Sequence, residues 1–93
     1  MQLKELLKYV QVKETVGNTE IQISGLCTDS QKVQSGDLFF CFAGAKHDSH
    51  GDISQIIQNG AVAVVCEKKL DCPLTQIIVD DGRAQIARAA QAF

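Results

Sequence analysis

The chain has no tryptophan and one proline, and it has no long apolar run. The stretch 38–43, as long as any apolar run in the chain, falls far short of the roughly 20 residues that a membrane-spanning helix needs. Lys4, Glu5 and Lys8 interrupt the first ten positions, where a secretory signal peptide would carry a continuous apolar core. We therefore expect a cytoplasmic protein without a membrane partner.

Neither sign of charge is in large excess, since nine Lys and Arg stand against eleven Asp and Glu. No basic cluster occurs, so the sequence offers no electrostatic support for nucleic-acid binding. A small anion could still bind through a few well-placed donors and backbone N–H groups.

The cysteines form no C-x-x-C pair and are dispersed as Cys27, Cys41, Cys66 and Cys72. The first three lie in or beside apolar, strand-like segments, which predicts buried free thiols in a reducing compartment. The alternative is a zinc site that combines the last two cysteines with His47 and His50. Their spacing matches no common zinc finger, so free thiols without metal are the favoured interpretation.

Apolar periodicity predicts an α/β domain that spans residues 1–93. The predicted strands are 21–29, 38–42, 62–65 and 76–79, and the predicted helices are 2–9, 52–59 and 82–92. Two strand runs are apolar throughout, as in strands covered on both faces. The fold class is therefore a small mixed sheet flanked by helices. The pattern of the last helix continues to Phe93, so we expect the domain to belong to a longer protein.

Capping residues and turns delimit these elements. Gly17-Asn18 predicts a turn, Asp52 a helix N-cap, and either Asp80 or Asp81 the N-cap of the last helix. The last helix is expected to bury one face, formed by Ile86, Ala89, Ala90 and Phe93.

Polar groups concentrate in two segments that each follow a predicted strand. Thr28 and Ser30 lie in the first, and Lys46 and His47 lie in the second. Ligands of α/β sheets bind outside the carboxyl ends of strands, and hydroxyl, ammonium and imidazole groups suit a phosphate or a nucleotide. The competing interpretation is structural, because Thr, Asp and Ser at these positions commonly form turns and caps.

Motifs for self-sufficient catalysis do not occur. The sequence contains no G-x-x-x-x-G-K-[ST] phosphate loop, no G-x-G-x-x-G and no G-x-S-x-G nucleophile elbow.

The segment 28–39, Thr-Asp-Ser-Gln-Lys-Val-Gln-Ser-Gly-Asp-Leu-Phe, resembles the D-S-R-K-V-x-x-G-D-L-F pattern of the Mur ligases. Residues 43–48 resemble that family's G-x-x-x-D segment, and residues 56–65 resemble its A-I-x-x-G-A-x-A-V-V segment. The family arginine is Gln31 here. The resemblance covers nearly the whole chain and is to the amino-terminal domain, of the MurE type most closely.

This resemblance implies a role in peptidoglycan synthesis. MurE ligases add meso-diaminopimelate or L-lysine to UDP-N-acetylmuramoyl-L-alanyl-D-glutamate with ATP and Mg²⁺, and their amino-terminal domain holds the UDP end of the substrate. The residues that match the family's UDP contacts are Thr28, Ser30, Ala45, Lys46 and His47. The ATPase and carboxyl-terminal ligase domains, with the ATP and Mg²⁺ sites, would lie outside this chain, which alone would be inactive.

Two other functions remain open at this point. A MurF-type ligase, which adds D-alanyl-D-alanine, has a similar amino-terminal domain. From a different class, the chain could be a non-catalytic α/β interaction module.

Overall fold

The structure is a computed structural model that describes residues 1–41 and 53–93. The helices are α1 (Leu3–Leu6), which continues as a 3₁₀ turn over Leu7–Tyr9, α2 (Ile53–Gln58) and α3 (Gly82–Ala92). The strands are β1 (Glu14–Val16), β2 (Gly25–Cys27), β3 (Asp37–Phe40), β4 (Ala63–Cys66) and β5 (Thr75–Ile78). No helix in these two ranges is long and apolar enough to cross a membrane.

The strands form one sheet in the order β1-β5-β4-β3-β2. Strands β2 to β5 are parallel, and β1 joins the β5 edge antiparallel. The predicted fold class, a mixed sheet flanked by helices, is confirmed.

Both faces of the sheet are covered, and this explains the continuous apolar runs. Along β3, Leu38 and Phe40 belong to the core beneath α1 and α3, whereas Phe39 belongs to the core beneath α2. Strand β4 alternates in the same way, with Val65 on the first face and Val64 on the second. A strand buried on both sides needs apolar residues at every position, so its sequence loses the period of two.

The predicted strand 21–29 is too long, because only Gly25–Cys27 pairs with β3. Residues 21–23 bond instead to the start of the chain. The Leu3 amide donates to the Ile21 carbonyl at 2.8 Å and the Ile23 amide donates to the Met1 carbonyl at 2.9 Å. Ile23 is nevertheless buried in the first core, so the alternating pattern predicted its burial and not its pairing.

Strand β1 was not predicted from the sequence. Its residues Glu14 and Thr15 are exposed and Val16 is half-buried, so it carries no clear alternation. It forms because β5 offers an open edge, with Glu14 opposite Ile78. The predicted turn that follows is confirmed, and Gly17 has a φ of +93° there.

The predicted helices are present, α1 and α2 with shorter bounds and α3 with the predicted bounds 82–92. The N-cap of α3 is Asp81. Its carboxylate accepts from the Arg83 and Ala84 amides at 3.1 and 3.2 Å. Asp80 instead lies in an exposed ion pair with Lys13, at 3.7 Å. Asp52, the expected cap of α2, lies outside the described residues.

The buried face of α3 differs from the predicted one. Gly82, Gln85 and Ala89 are buried, whereas Ala90 and Phe93 are exposed. Gln85 is buried because its side-chain oxygen accepts from the Gln11 backbone amide at 2.8 Å. Ala89 is buried as predicted and Ile86 packs partly buried against the first core, so the buried face is rotated from Ala90 and Phe93 toward Gln85.

All four cysteines are free thiols in the structure. Cys41 and Cys66 are fully buried, as predicted. Cys27 is only half-buried, so the prediction of burial is wrong there, because β2 is an edge strand with one uncovered side. His47 and His50 lie outside the described residues.

Candidate functional site

A groove of about 620 Å³ runs along edge strand β2 and the residues that connect it to β3. We refer to residues 28–36 as the 28–36 loop. The groove is lined by Ser24, Gly25, Leu26, Cys27, Thr28, Asp29, Lys32, Gln34, Ser35 and Asp37. It therefore lies where the first of the two predicted polar segments was expected to bind a ligand.

Asp29 folds the first half of this loop. Its side-chain oxygen accepts from the Gln31 amide at 3.0 Å, and its carbonyl accepts from the Lys32 amide at 2.9 Å. The Cys27 thiol also donates to that carbonyl, at 3.1 Å. The structural interpretation is thus correct for Asp29, because its carboxylate closes a turn of its own chain.

Asp37 folds the second half of the loop. One of its side-chain oxygens accepts from the Gln34 amide at 2.9 Å, and the Asp37 amide donates to the Gln34 carbonyl at 3.1 Å. A Cβ on the neighbouring Gly25 would lie 2.9 Å from the other carboxylate oxygen, so glycine leaves the room that this buried side chain needs.

Among the side-chain donors of the groove, Thr28 and Lys32 are available for a ligand. Thr28 and Lys32 are exposed, and neither side chain has a hydrogen-bond or ion-pair partner among the described residues. The Thr28 hydroxyl can donate or accept, and the Lys32 ammonium supplies a positive charge. Since both groove carboxylates accept backbone hydrogen bonds, the arrangement suits an anionic or polar ligand at the Thr28 end.

Ser30 lies on the same loop, half-buried, and does not line the groove. Its carbonyl accepts from the side-chain amide of Asn59 at 3.2 Å, and its hydroxyl has no partner among residues 1–41 and 53–93. The other predicted site residues, Ala45, Lys46 and His47, lie outside the described residues. The structure therefore places Thr28 in the groove, and the remaining assignments stay predictions.

Lys32 and Asn59 were missed as contributors to this region. Lys32 could have been found from its position inside the motif, two residues after Ser30. Asn59 gave no such signal, because an Asn-Gly pair after a helix indicates only a helix end.

Cys66 is unsuited to nucleophilic chemistry. Burial, and to a lesser extent the charge of the neighbouring Cys72, raises the pKa of its thiol to about 11. The thiol therefore stays protonated at neutral pH, and the thiolate is the reactive form.

Comparison with known proteins identifies the family. The family model described as "Mur ligase family, catalytic domain" matches residues 22–93 of the chain. The chain is 40% identical over 92 residues, 97% of its length, to the UDP-N-acetylmuramoyl-L-alanyl-D-glutamate–2,6-diaminopimelate ligase of Syntrophomonas wolfei. It is also 40% identical, over its whole length, to the ligase of the same name from Geobacter metallireducens. The chain belongs to the Mur ligase family. The resemblance to a MurE-type amino-terminal domain is thereby confirmed.

Solved structures place this Mur ligase chain in the same fold. MurF from Acinetobacter baumannii superposes with a TM-score of 0.80 at 26% identity over 94% of the chain. MurF from Thermotoga maritima, solved in complex with ADP, superposes with a TM-score of 0.63 over 72% of the chain. The chain spans 19% of the length of the Syntrophomonas and Geobacter relatives and 19% of the Acinetobacter structure.

Proposed function

We propose that residues 1–93 are the amino-terminal, UDP-anchoring domain of a peptidoglycan-precursor ligase of the MurE type. The groove at the 28–36 loop would hold the UDP end of UDP-N-acetylmuramoyl-L-alanyl-D-glutamate. The rest of the protein would then add the third peptide residue in an ATP-dependent reaction that forms an amide bond. The observation that carries this proposal is the position of Thr28 in a groove built by the family motif, with a hydroxyl that has no partner among the described residues.

Identity to named relatives supports this substrate over that of a MurF-type ligase. The relatives named diaminopimelate ligases are 36–40% identical, whereas the MurF structures are 26–27% identical. The family match also argues against an unrelated interaction module. Diaminopimelate is the third residue that the relatives' names suggest.

Neither the motifs of the sequence nor the described residues offer a site for ATP or Mg²⁺. The sequence has no glycine-rich phosphate loop with a lysine, and the described residues contain no group of three or more His, Cys, Asp or Glu side chains that could hold a metal ion. In this proposal both would bind to the central and carboxyl-terminal domains, which are also the chain's partners, and the 93 residues alone would be inactive. Such a ligase would act in the cytoplasm.

Thr28 and Ser30 would bind the UDP moiety from the first loop, and Ala45, Lys46 and His47 would bind it from the second. The nucleotide in this arrangement contributes binding energy far from the reacting carboxylate. Interactions of that kind hold ground state and transition state equally, so they lower KM and leave kcat unchanged.

The direct test is a titration of the 93-residue chain with UDP, followed by NMR chemical shifts. We expect millimolar affinity, about −4 kcal/mol, with the largest shifts at Thr28, Ser30 and Lys46–His47. Shifts that cluster on α3 and leave both loops unchanged would contradict the site assignment.

The test in the full-length ligase is Ser30→Ala. The substitution should raise KM for the UDP-linked substrate more than it lowers kcat. An effect confined to the KM for ATP would show that Ser30 does not bind the UDP moiety.

A further inference from the structure

The turn that ends α2 presses against the 28–36 loop. The Asn59 side chain donates to the Ser30 carbonyl at 3.2 Å, and the Gly60 carbonyl accepts from the Gly36 amide at 2.9 Å. Gly60 has a φ of +108°, and a Cβ there would lie 2.6 Å from the Ser35 Cα. The Asn59–Gly60 turn thus contacts the loop near its start and again at its end.

Asn59 is held in place independently of this contact. Its backbone amide donates to the Gln55 carbonyl at 3.0 Å, and the next two amides also bond back into α2. The helix in turn is anchored by Ile56, which is fully buried in the second core. The backbone that carries the Asn59 side chain is therefore held in place by α2.

Ser30, by contrast, has few restraints. Among the described residues, the Asn59 side chain is its only hydrogen-bond partner, and the bonds made by Asp29 close a turn around it without fixing it to the sheet. A protein binds its ligand more weakly when the backbone of a contacting residue becomes ordered only on binding. A group that already holds that backbone in place therefore strengthens binding.

We propose that Asn59 is a positioning residue, which holds the Ser30 backbone so that the Ser30 hydroxyl is presented to the diphosphate of the substrate. This inference rests on the proposed function and adds to it a residue outside both predicted loops. Asn59 makes no contact with the ligand in this scheme and acts only through the Ser30 carbonyl.

The test uses the full-length ligase with Asn59→Ala. Because one hydrogen bond is lost, we expect the KM for the UDP-linked substrate to rise about three- to tenfold. The kcat and the KM for ATP should stay within about twofold of the values of the unaltered enzyme. Asn59→Asp should raise that KM at least as much, because a carboxylate cannot donate to the carbonyl. The matched control is Gln58→Ala, an exposed side chain on the last turn of the same helix, which should leave the KM unchanged.

A double variant separates positioning from general destabilisation. If Asn59 acts through Ser30, then Ser30→Ala combined with Asn59→Ala should have the KM of Ser30→Ala alone. Additive effects in the double variant, or an unchanged KM in Asn59→Ala, would overturn the inference about Asn59. A raised KM in Ser30→Ala would still support the proposed function in that case. If Ser30→Ala itself left the KM unchanged, the proposed function of Ser30 would fail with it.

Discussion

Gly36 is the residue at which the 28–36 loop turns back into the sheet. Its φ is +90°, a region that L residues with a side chain rarely adopt, and a Cβ there would lie 2.5 Å from the Ser24 hydroxyl oxygen. Its amide and carbonyl are both engaged, with Gly60 and Ser24 respectively. The backbone at this position cannot relax without breaking the contacts that shape the groove.

We expect Gly36→Ala to lower the free energy of unfolding by about 1–3 kcal/mol, because the substitution combines backbone strain with a steric clash. Chemical denaturation measures the loss. Gln34→Ala, an exposed side chain in the same loop, should change the free energy of unfolding by less than about 0.5 kcal/mol. Equal values for the two variants would show that the loop tolerates a side chain at position 36.

Individual residues also explain why the site was only partly predictable. In a sequence, Asp29 and Asp37 are polar residues of a loop and could serve a ligand or the fold. The structure shows that both carboxylates accept backbone amides. The family motif is therefore largely a folding motif, whereas the side chains of Thr28 and Lys32 line the groove without a partner among the described residues. Residue type alone does not distinguish these uses.

At the scale of elements, α3 depends on its first turn. Asp81 accepts two amides of that turn, and the Glu67 carboxylate accepts the Gly82 amide at 2.8 Å. The negative charges lie at the positive end of the helix dipole, which adds to the stabilisation. The helix then carries Ala89 into the first core.

Asp81→Ala should lower the free energy of unfolding by about 0.5–2 kcal/mol, the usual effect of removing an N-cap side chain. The neighbouring Asp80→Ala removes the same charge from an exposed ion pair and should have an effect of at most about 1 kcal/mol. Thermal or urea unfolding of both variants makes the comparison. A larger loss in Asp80→Ala would mean that the ion pair with Lys13, and not the cap, holds this region.

The elements differ in how far the sequence predicts them. Strands β3 and β4 were predicted because both of their faces are covered and the runs 38–42 and 61–66 are apolar throughout. Strand β5 is also buried along its length, and its apolar residues Ile77 and Ile78 indicated it although Thr75 and Gln76 are polar. Strand β1 was missed because an exposed edge strand needs no such pattern. The excess length assigned to β2 arose because Ile23 is buried without being in a strand. The residues of a segment predict whether it is buried, whereas its pairing depends on which strand edge, from a distant part of the sequence, lies beside it.

At the scale of the whole molecule, the sheet separates two apolar cores, and the thiol of Cys66 is buried in the second. Its pKa is raised from 9.0 to about 11, mainly by burial. The folded protein therefore keeps this proton at pH values where the unfolded chain releases it. Because the unfolded state binds fewer protons in that window, stability falls as pH rises.

We expect the free energy of unfolding to decrease between pH 9 and pH 11, with at most about 3 kcal/mol of the decrease due to Cys66. Well below pH 9 the thiol is protonated in both states and contributes no slope. Urea unfolding at a series of pH values measures this, and Cys66→Ala should show a shallower decrease. Cys27→Ala, which removes a half-buried thiol from the edge strand, serves as the control. The same slope in Cys66→Ala and the unaltered protein would contradict the assignment.

The antiparallel pairing of β1 with β5 also has a consequence for synthesis on the ribosome. Glu14 lies opposite Ile78, so a strand made early must wait for one that lies more than sixty residues further along the chain. Until β5 leaves the ribosomal exit tunnel, β1 has no partner in the sheet. Contacts between segments so far apart form slowly, because bringing them together restricts the long stretch of chain between them. The nascent chain can assemble β2, β3 and β4 in order as they emerge, while its first strand stays available to chaperones.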